Sequence, residues 1–366
     1  MTRVLVAEDS PSTALLLQEI LRHAHFDVVG IARDGNEAVA MTAQLCPDVV
    51  TMDVQMPGLD GIEATRLIME RTPTPIVVVS AALDDPELQV HFRALNYGAA
   101  AVVRKPPAPG HADFQAAARH LTETVQAVAG VPMVRRRRQP AEPAEPPAAS
   151  SSDAAPVGAA PARATAAPRP ALAPKLLAIG ASTGGPQALA SLLTRLPCSF
   201  GLPVLIVQHI SPGFIAGLAD WLDHRCPLCC SVARDGEPLR PGHVLFAPDG
   251  RHLEVATAGT GLVARLSDAP PVARHQPSAT PLFDSVALAC GPRAIGLVMT
   301  GMGSDGCAGL LRMRERGALT LAQSPDSCVV PNMPQAAIDA GAAAETIPLD
   351  QLPARLGAAL APHQEH

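Results

Sequence analysis

Aromatic residues are scarce: seven Phe, one Trp and one Tyr make up 2% of 366 residues. Proteins that bind single-stranded nucleic acid stack bases on such rings, and this chain has few to offer. Positive charge is not in surplus either. The net charge is −6, with 9 basic and 16 acidic side chains in residues 1–130 and 13 and 15 in residues 175–366. That balance gives no general attraction to phosphate polyanions, so a nucleic-acid partner is not expected. A disulfide framework is also absent. The eight Cys are scattered in a chain long enough to build a core without staples, which points to a reducing compartment. Cys226, Cys229 and Cys230 form C-P-L-C-C, but no second half of a zinc site stands at suitable spacing, so this reads as a thiol-bearing loop. The charge-free stretch between Arg195 and Asp220 is broken by Pro203, Gln208, His209, Pro212 and Gly213, unlike a membrane helix. No signal-peptide pattern precedes the first strand-like run. The expectation is a cytoplasmic protein with no direct membrane insertion.

What is present is a two-part design. Hydrophobic residues reach 48%, enough for sizeable cores, and the length suits two domains and a spacer. The spacer is placed at 126–174, dominated from about 131 by Ala and Pro with the basic run Arg135–Arg138. Such composition cannot bury enough apolar surface to order itself. Domains are expected at 1–125 and 175–360. In the first, strand candidates Val4–Ala7, Val28–Ala32, Val49–Met52, Ile76–Ser80 and Ala101–Val103 alternate with helical patterns, the first helix opened by Ser10-Pro11. In the second, apolar runs at Leu176–Ile179, Val204–Val207, Val244–Phe246, Ala294–Met299 and Leu319–Ala322 do the same. Helices are expected at Gln187–Leu193 and Ser304–Arg316, with hairpin content around 232–265. Strand–helix alternation predicts α/β architecture: a doubly wound five-stranded parallel sheet, then a second doubly wound, mostly parallel one.

Polar residues stand where the strands of the first domain end. Glu8 and Asp9 follow the first strand, Asp53 the third, Ser80 closes the fourth and Lys105 follows the fifth. Carboxyl ends of neighbouring parallel strands share a crevice. Three carboxylates crowded there repel one another, and Mg2+ suits such an oxygen site. Asp53 can then accept a phosphoryl group as a nucleophile, with Ser80 and Lys105 holding its oxygens. The pattern resembles the receiver domain of two-component response regulators. That resemblance implies phosphorylation of Asp53 by a histidine kinase, with magnesium on Glu8, Asp9 and Asp53. One departure stands out: receivers usually carry an aromatic switch three positions before the lysine, where this chain has Val102. The signal is therefore expected to leave through Ser80 and its adjoining loop.

The second domain carries a different chemistry. I-G-A-S-T-G-G-P puts Ser182 in a G-x-S-x-G turn between a strand and a helix, the context of an exposed nucleophile. V-Q-H-I places His209 just past the next strand, and M-T-G-M-G-S-D-G places Asp305 past a later one. If those strands are neighbours, hydroxyl, imidazole and carboxylate converge as nucleophile, base and orienting group. The chain order Ser–His–Asp differs from that of α/β-hydrolases, and His243, Asp249 and Asp284 are alternative partners.

These motifs, with R-H-Q-P-S-A-T-P-L-F-D-S-V-A and V-V-P-N-M-P-Q-A-A-I, resemble the chemotaxis protein-glutamate methylesterase family, CheB, over nearly all of 175–350. The resemblance implies that Ser182, His209 and Asp305 are catalytic, with Thr183 near the base and the Met302 amide at the oxyanion. It implies hydrolysis of glutamate methyl esters on chemoreceptor cytoplasmic domains with release of methanol, glutamine deamidation at the same site, and no cofactor for the hydrolysis. The unphosphorylated receiver is expected to cover the triad and phospho-Asp53 to uncover it. Competing readings are an esterase for another methylated protein, a non-enzymatic anion-binding module, and a DNA-binding regulator, the last disfavoured by the acidic second domain.

Overall fold

The structure, a computed structural model, describes residues 1–80, 94–130 and 174–360. The loop following Ser80 and residues 131–173 of the spacer, Arg135–Arg138 among them, lie outside the described residues. The first sheet comprises β1 (Arg3–Ala7), β2 (Asp27–Ala32), β3 (Val49–Met52), β4 (Ile76–Ser80) and β5 (Ala101–Arg104). Its order is β2-β1-β3-β4-β5, all parallel. Around it lie α1 (Pro11–His23), α2 (Gly35–Leu45), α3 (Gly61–Arg71) and α4 (Phe114–Val128), the last running past the boundary expected at 125. Successive strand residues feed opposite faces. Val4, Val6, Val77 and Val79 pack with Leu17, Leu21, Leu121 and Val125 of α1 and α4. Leu5, Val50, Met52 and Val78 turn the other way, toward Ala38 of α2 and Ile68 of α3. Both faces are covered, so the strands read as unbroken apolar runs. Ser10 opens α1 by accepting from Thr13 N, with Pro11 in the first turn.

The second part is built on β6 (Leu176–Ala181), β7 (Val204–Gln208), β8 (Cys229–Val232) and β9 (His243–Phe246). A ribbon of β10 (His252–Ala258) and β11 (Gly261–Ser267) follows, then β12 (Ala294–Val298), β13 (Leu319–Gln323) and β14 (Glu345–Ile347). The seven-stranded sheet runs β14-β13-β12-β6-β7-β9-β8, with every pairing parallel. One face packs on α5 (Gly185–Leu193), α6 (Ile215–Asp223) and, further along the chain, the helix Leu352–Leu360, through Leu189, Leu192, Leu218 and Leu356. The other face packs on α7 (Ala279–Cys290), α8 (Cys307–Glu315) and α9 (Asn332–Asp339), through Phe283, Leu310 and Met333.

The strand order carries the functional consequence. From β6 the chain passes to β7, reaches the edge strand β8, steps back to β9 between them and, after the β10–β11 ribbon, returns to the opposite side of β6 and continues outward through β12, β13 and β14. Strand order therefore reverses between β6 and β12, where open α/β sheets form their ligand crevice.

Two expectations are corrected. The helix predicted from Ser304 starts at Cys307, because Gly303 and Gly306 both sit at φ +83° and turn the chain before it can coil. The antiparallel hairpin is confined to His252–Ser267, whereas Cys229–Val232 joins the main sheet as an edge strand parallel to β9. None of the described helices is long and apolar enough to cross a membrane.

Candidate functional site

Two polar constellations lie at strand ends. In the first sheet, Glu8 and Asp53 are buried and Asp9 is exposed, and one ligand oxygen from each lies within 4.8 Å of the others. Lys105 Nζ stands 2.7 Å from Asp53 Oδ2 and 2.9 Å from Glu8 Oε2. Burial is the main force on Glu8 and raises its pKa, with Lys105 only partly offsetting it. Burial opposes the charge on Lys105 too, but its bonds to Asp53 and Glu8 win and raise its pKa. Glu8 Oε1 takes the hydrogen bond from Lys105 Nζ at 3.1 Å, and the buried Oε2 faces the same ammonium as an ion pair. Three crowded carboxylates with one ammonium among them fit a divalent cation. Ser80 is buried at the end of β4, and its carbonyl accepts from Lys105 N at 2.7 Å.

In the second sheet, β6 lies between β12 and β7, and the register Ala181↔Gln208 brings Ser182 and His209 side by side past the strand ends. His209 N donates to Ala181 O at 2.9 Å and Ser182 N to Thr300 O at 3.0 Å, so both positions are fixed by main-chain bonds. The buried Gln208 ties them further, its Nε2 donating to Ser182 O and His209 O, both at 2.8 Å. The Ser182 turn needs small neighbours. Gly184 is left-handed at φ +77°, and a Cβ on Gly301 would lie 2.6 Å from Ser182 Cβ.

Asp305 Oδ2 stands 2.9 Å from His209 Nε2. Its carboxylate also accepts from Ser278 Oγ at 2.6 Å, Ala279 N at 2.7 Å, Thr280 Oγ1 at 2.9 Å and Gly306 N at 2.8 Å. It thus sits at the amino end of α7, where the helix dipole favours a negative charge. Burial opposes its ionisation, but the bonds from His209, Ser278 and Ala279 together hold its carboxyl well below the usual carboxylate range. With Asp305 on Nε2, the ring nitrogen left for Ser182 is Nδ1, which is buried and has no hydrogen bond. Among the described residues no hydrogen bond joins Ser182 Oγ to the ring. Thr183 O accepts from Thr300 Oγ1 at 2.9 Å, and the half-buried Met302 keeps its amide uncommitted among the described residues. A hydroxyl, an imidazole, an oriented carboxylate and a spare amide on one rim are the parts of an acyl-transfer site.

The alternatives fall elsewhere. Asp284 is engaged by Arg312 (Nη2 to Oδ2, 2.6 Å), Asp249 accepts from Gly213 N at 2.8 Å, and His243 begins β9. In the Cys-rich loop, Cys226 and Cys230 have their sulfurs 3.3 Å apart while Cys229 is exposed. Sequence reading missed Ser278 and Thr280 as supports for Asp305. The S-A-T in R-H-Q-P-S-A-T-P is a helix-capping signal that marked them.

The two halves touch at this rim. Arg104 N, beside Lys105, donates to Ser211 Oγ at 3.1 Å. Gln187 Nε2 bonds to the carbonyls of Leu95 and Ala99. Val329 packs into the α1–α4 core while lying against Gly184. These contacts leave the receiver-like half through β5 and its neighbours. The loop after Ser80, named from sequence as the exit, lies outside the described residues.

A family model described as CheB methylesterase matches residues 177–356, and one described as response regulator receiver domain matches 4–113. A relative from Myxococcus xanthus (strain DK1622), named protein-glutamate methylesterase/protein-glutamine glutaminase 4, is 47% identical over 358 residues, covering 98% of this chain and 96% of that one. Another from Anaeromyxobacter dehalogenans (strain 2CP-C), with the same name numbered 3, is 45% identical, covering 97% of this chain and 98% of that one. The crystal structure of the Thermotoga maritima CheB methylesterase catalytic domain is 32% identical, with a TM-score of 0.49, over 50% of this chain and 98% of that one.

Proposed function

Because the chain belongs to the CheB methylesterase family, and is a receiver-regulated protein-glutamate methylesterase and glutaminase of chemotaxis adaptation, we propose how its residues divide that work. The domains are 1–125, receiver, and 175–360, catalytic, joined by the spacer 126–174. Ser182 attacks the carbonyl carbon of the glutamate methyl ester as His209 Nδ1 takes its proton. Asp305 holds the ring by Nε2 and stabilises the imidazolium. The Met302 amide meets the oxyanion, and Thr183 helps shape the turn beside it. His209 returns the proton to the leaving methanol. Water then repeats the steps in reverse and frees the glutamate. A glutamine follows the same course with ammonia leaving, which depends more heavily on the proton from His209. None of these steps calls for a cofactor. The observation that carries this reading is the meeting of Ser182, His209 and Asp305 at the β12-β6-β7 rim.

In the receiver, Glu8, Asp9 and Asp53 would hold Mg2+, which when bound neutralises the crowded carboxylates and the incoming phosphoryl oxygens. Asp53 takes the phosphoryl group from a chemotaxis histidine kinase, and Ser80 and Lys105 hold its oxygens. Unphosphorylated, the receiver keeps chemoreceptor cytoplasmic domains off the rim through the contacts at Ser211, Gln187 and Val329. The site of action is the cytoplasm, where those receptor segments lie.

Methanol release from methyl-labelled receptor fragments, with and without acetyl phosphate, tests both parts. Ser182→Ala should abolish release with the fold intact, since removing a triad nucleophile leaves at most residual catalysis. Asp53→Asn should leave only the unstimulated rate. Release by Ser182→Ala at near the parent rate would rule out the nucleophile.

A further inference from the structure

His275 lies with its ring 4.0 Å, centroid to centroid, from that of His209, the two planes within 2° of parallel. The chain is shaped to put it there. Val272 and His275 exchange two main-chain hydrogen bonds, of 3.1 and 2.9 Å, closing a two-residue turn. The residues at its tip, Ala273 and Arg274, have φ +49° and +71°. A turn left-handed at both central positions normally uses Gly or Asn. Here two residues with a Cβ hold that conformation, and strain retained in this way concentrates where geometry serves function.

The base needs such a neighbour. His209 is fixed covalently at Cβ and by one hydrogen bond at Nε2, across the ring. Those two points define an axis, and the ring can still swing about it. The swing carries Nδ1, which has no partner of its own, toward or away from the serine. A flat ring stacked on one face removes that freedom. Burial, with a further contribution from His209, pushes the His275 imidazole down to about 4. It is therefore a neutral slab at working pH and does not repel the imidazolium formed beside it. A neutral π face next to that cation is favourable. His120 on α4, which burial also keeps toward its neutral form, is a nearby ionisable group from the receiver side, and Asp305 and Arg274 complete the charged surroundings.

We propose that His275 is a positioning residue for the methylesterase reaction, stacking on His209 to hold its ring in the plane that aims Nδ1 at Ser182. The inference rests on the triad reading above. It predicts that the ring's flatness, not its nitrogens, is what matters. Methanol release by the full chain with acetyl phosphate should show His275→Ala with kcat roughly tenfold lower and KM within about twofold, as expected when reacting groups lose alignment but the substrate surface is intact. His275→Phe should restore kcat to within about threefold of the parent. Thermal unfolding of each variant separates a misfolded chain from a misaligned one. If His275→Ala does not fold, His275→Phe alone decides: near-parent kcat supports the stack, and a folded but inactive protein overturns it. Parent-like kcat in His275→Ala, or a loss appearing in KM instead, also overturns it. Ser182→Ala run alongside keeps the two claims apart. If it is inactive while His275→Ala is parent-like, only the stacking role falls; if it is active, the triad itself does.

Discussion

At the scale of single residues, the proposed triad presents its imidazole in an order opposite to the common serine-protease arrangement, with the carboxylate on Nε2. The ring proton should therefore reside on Nε2, and nitrogen-edited NMR of the resting protein should correlate the most downfield imidazole proton with that atom. A correlation to Nδ1 would contradict the geometry. Asp305 collects donors from three neighbouring positions, Ser278, Ala279 and Thr280. Its folded pKa lies below the unfolded value. Its contribution to stability is accordingly complete above the ordinary carboxylate pKa and is lost as pH falls below it. The carboxylate stays ionised through the whole working range, so the acid limb of the rate profile should not titrate it. Asp305→Asn should lower kcat by about 10³–10⁴-fold through loss of the orienting charge and correct tautomer. Glu8 has the reverse sign. Its pKa is raised by burial, so its charge costs stability at neutral pH. Glu8→Gln should raise the thermal midpoint by a few degrees yet abolish magnesium-dependent phosphorylation of Asp53. A lowered midpoint would show that the pair with Lys105 outweighs the burial.

At the scale of elements, the central strands were legible because each is buried on both faces and reads as a run of Val, Ile, Leu and Ala. The predicted limits of β3 and β4 coincide with those observed. The two edge strands of the second sheet were not legible. β8 alternates exposed and buried positions over four residues, and β14 is three residues long without a fully buried one, too little pattern for a period to register. The start of α8 was misread because an apolar periodicity carries no record of two left-handed glycines. The candidate site was legible to the extent that its groups follow strands, since strand ends gather on one rim whatever their separation in sequence. The supports were harder to see. Ser278 and Thr280 belong to a helix start that serves a carboxylate on another segment, and nothing local in either stretch announces the pairing. The elements also leave little tolerance. Gly301 passes Ser182 so closely that a methyl group there must displace it. Gly301→Ala should thus reduce kcat at least tenfold, with a smaller relative change in unfolding midpoint. Equal activity would show that the β12 turn can retreat.

At the scale of the whole molecule, the receiver reaches the rim through β5, whose last residue donates to Ser211 in the loop leaving His209. Lys105, the next residue, already binds Asp53. The path from the proposed phosphoacceptor to the proposed catalytic loop is therefore short: Asp53 to Lys105, and Arg104 to Ser211. It does not need an aromatic gate at Val102, which is itself buried in β5. Replacing Ser211 with Ala should raise the unphosphorylated methanol-release rate and shrink the ratio gained with acetyl phosphate, while the phosphorylated rate stays within about twofold. An unchanged ratio would place the latch at Gln187 and Val329 instead.

That shared rim has a reciprocal side. In the proposed mechanism a receptor helix and the resting receiver compete for one surface, so whatever modification of Asp53 does for receptor affinity, receptor must do for the modified receiver, by the same factor. Beryllofluoride, a stand-in for the phosphoryl group, should then bind more tightly when receptor fragments are saturating. An adaptation enzyme wired in this way would hold its activated form longest beside the substrate it serves.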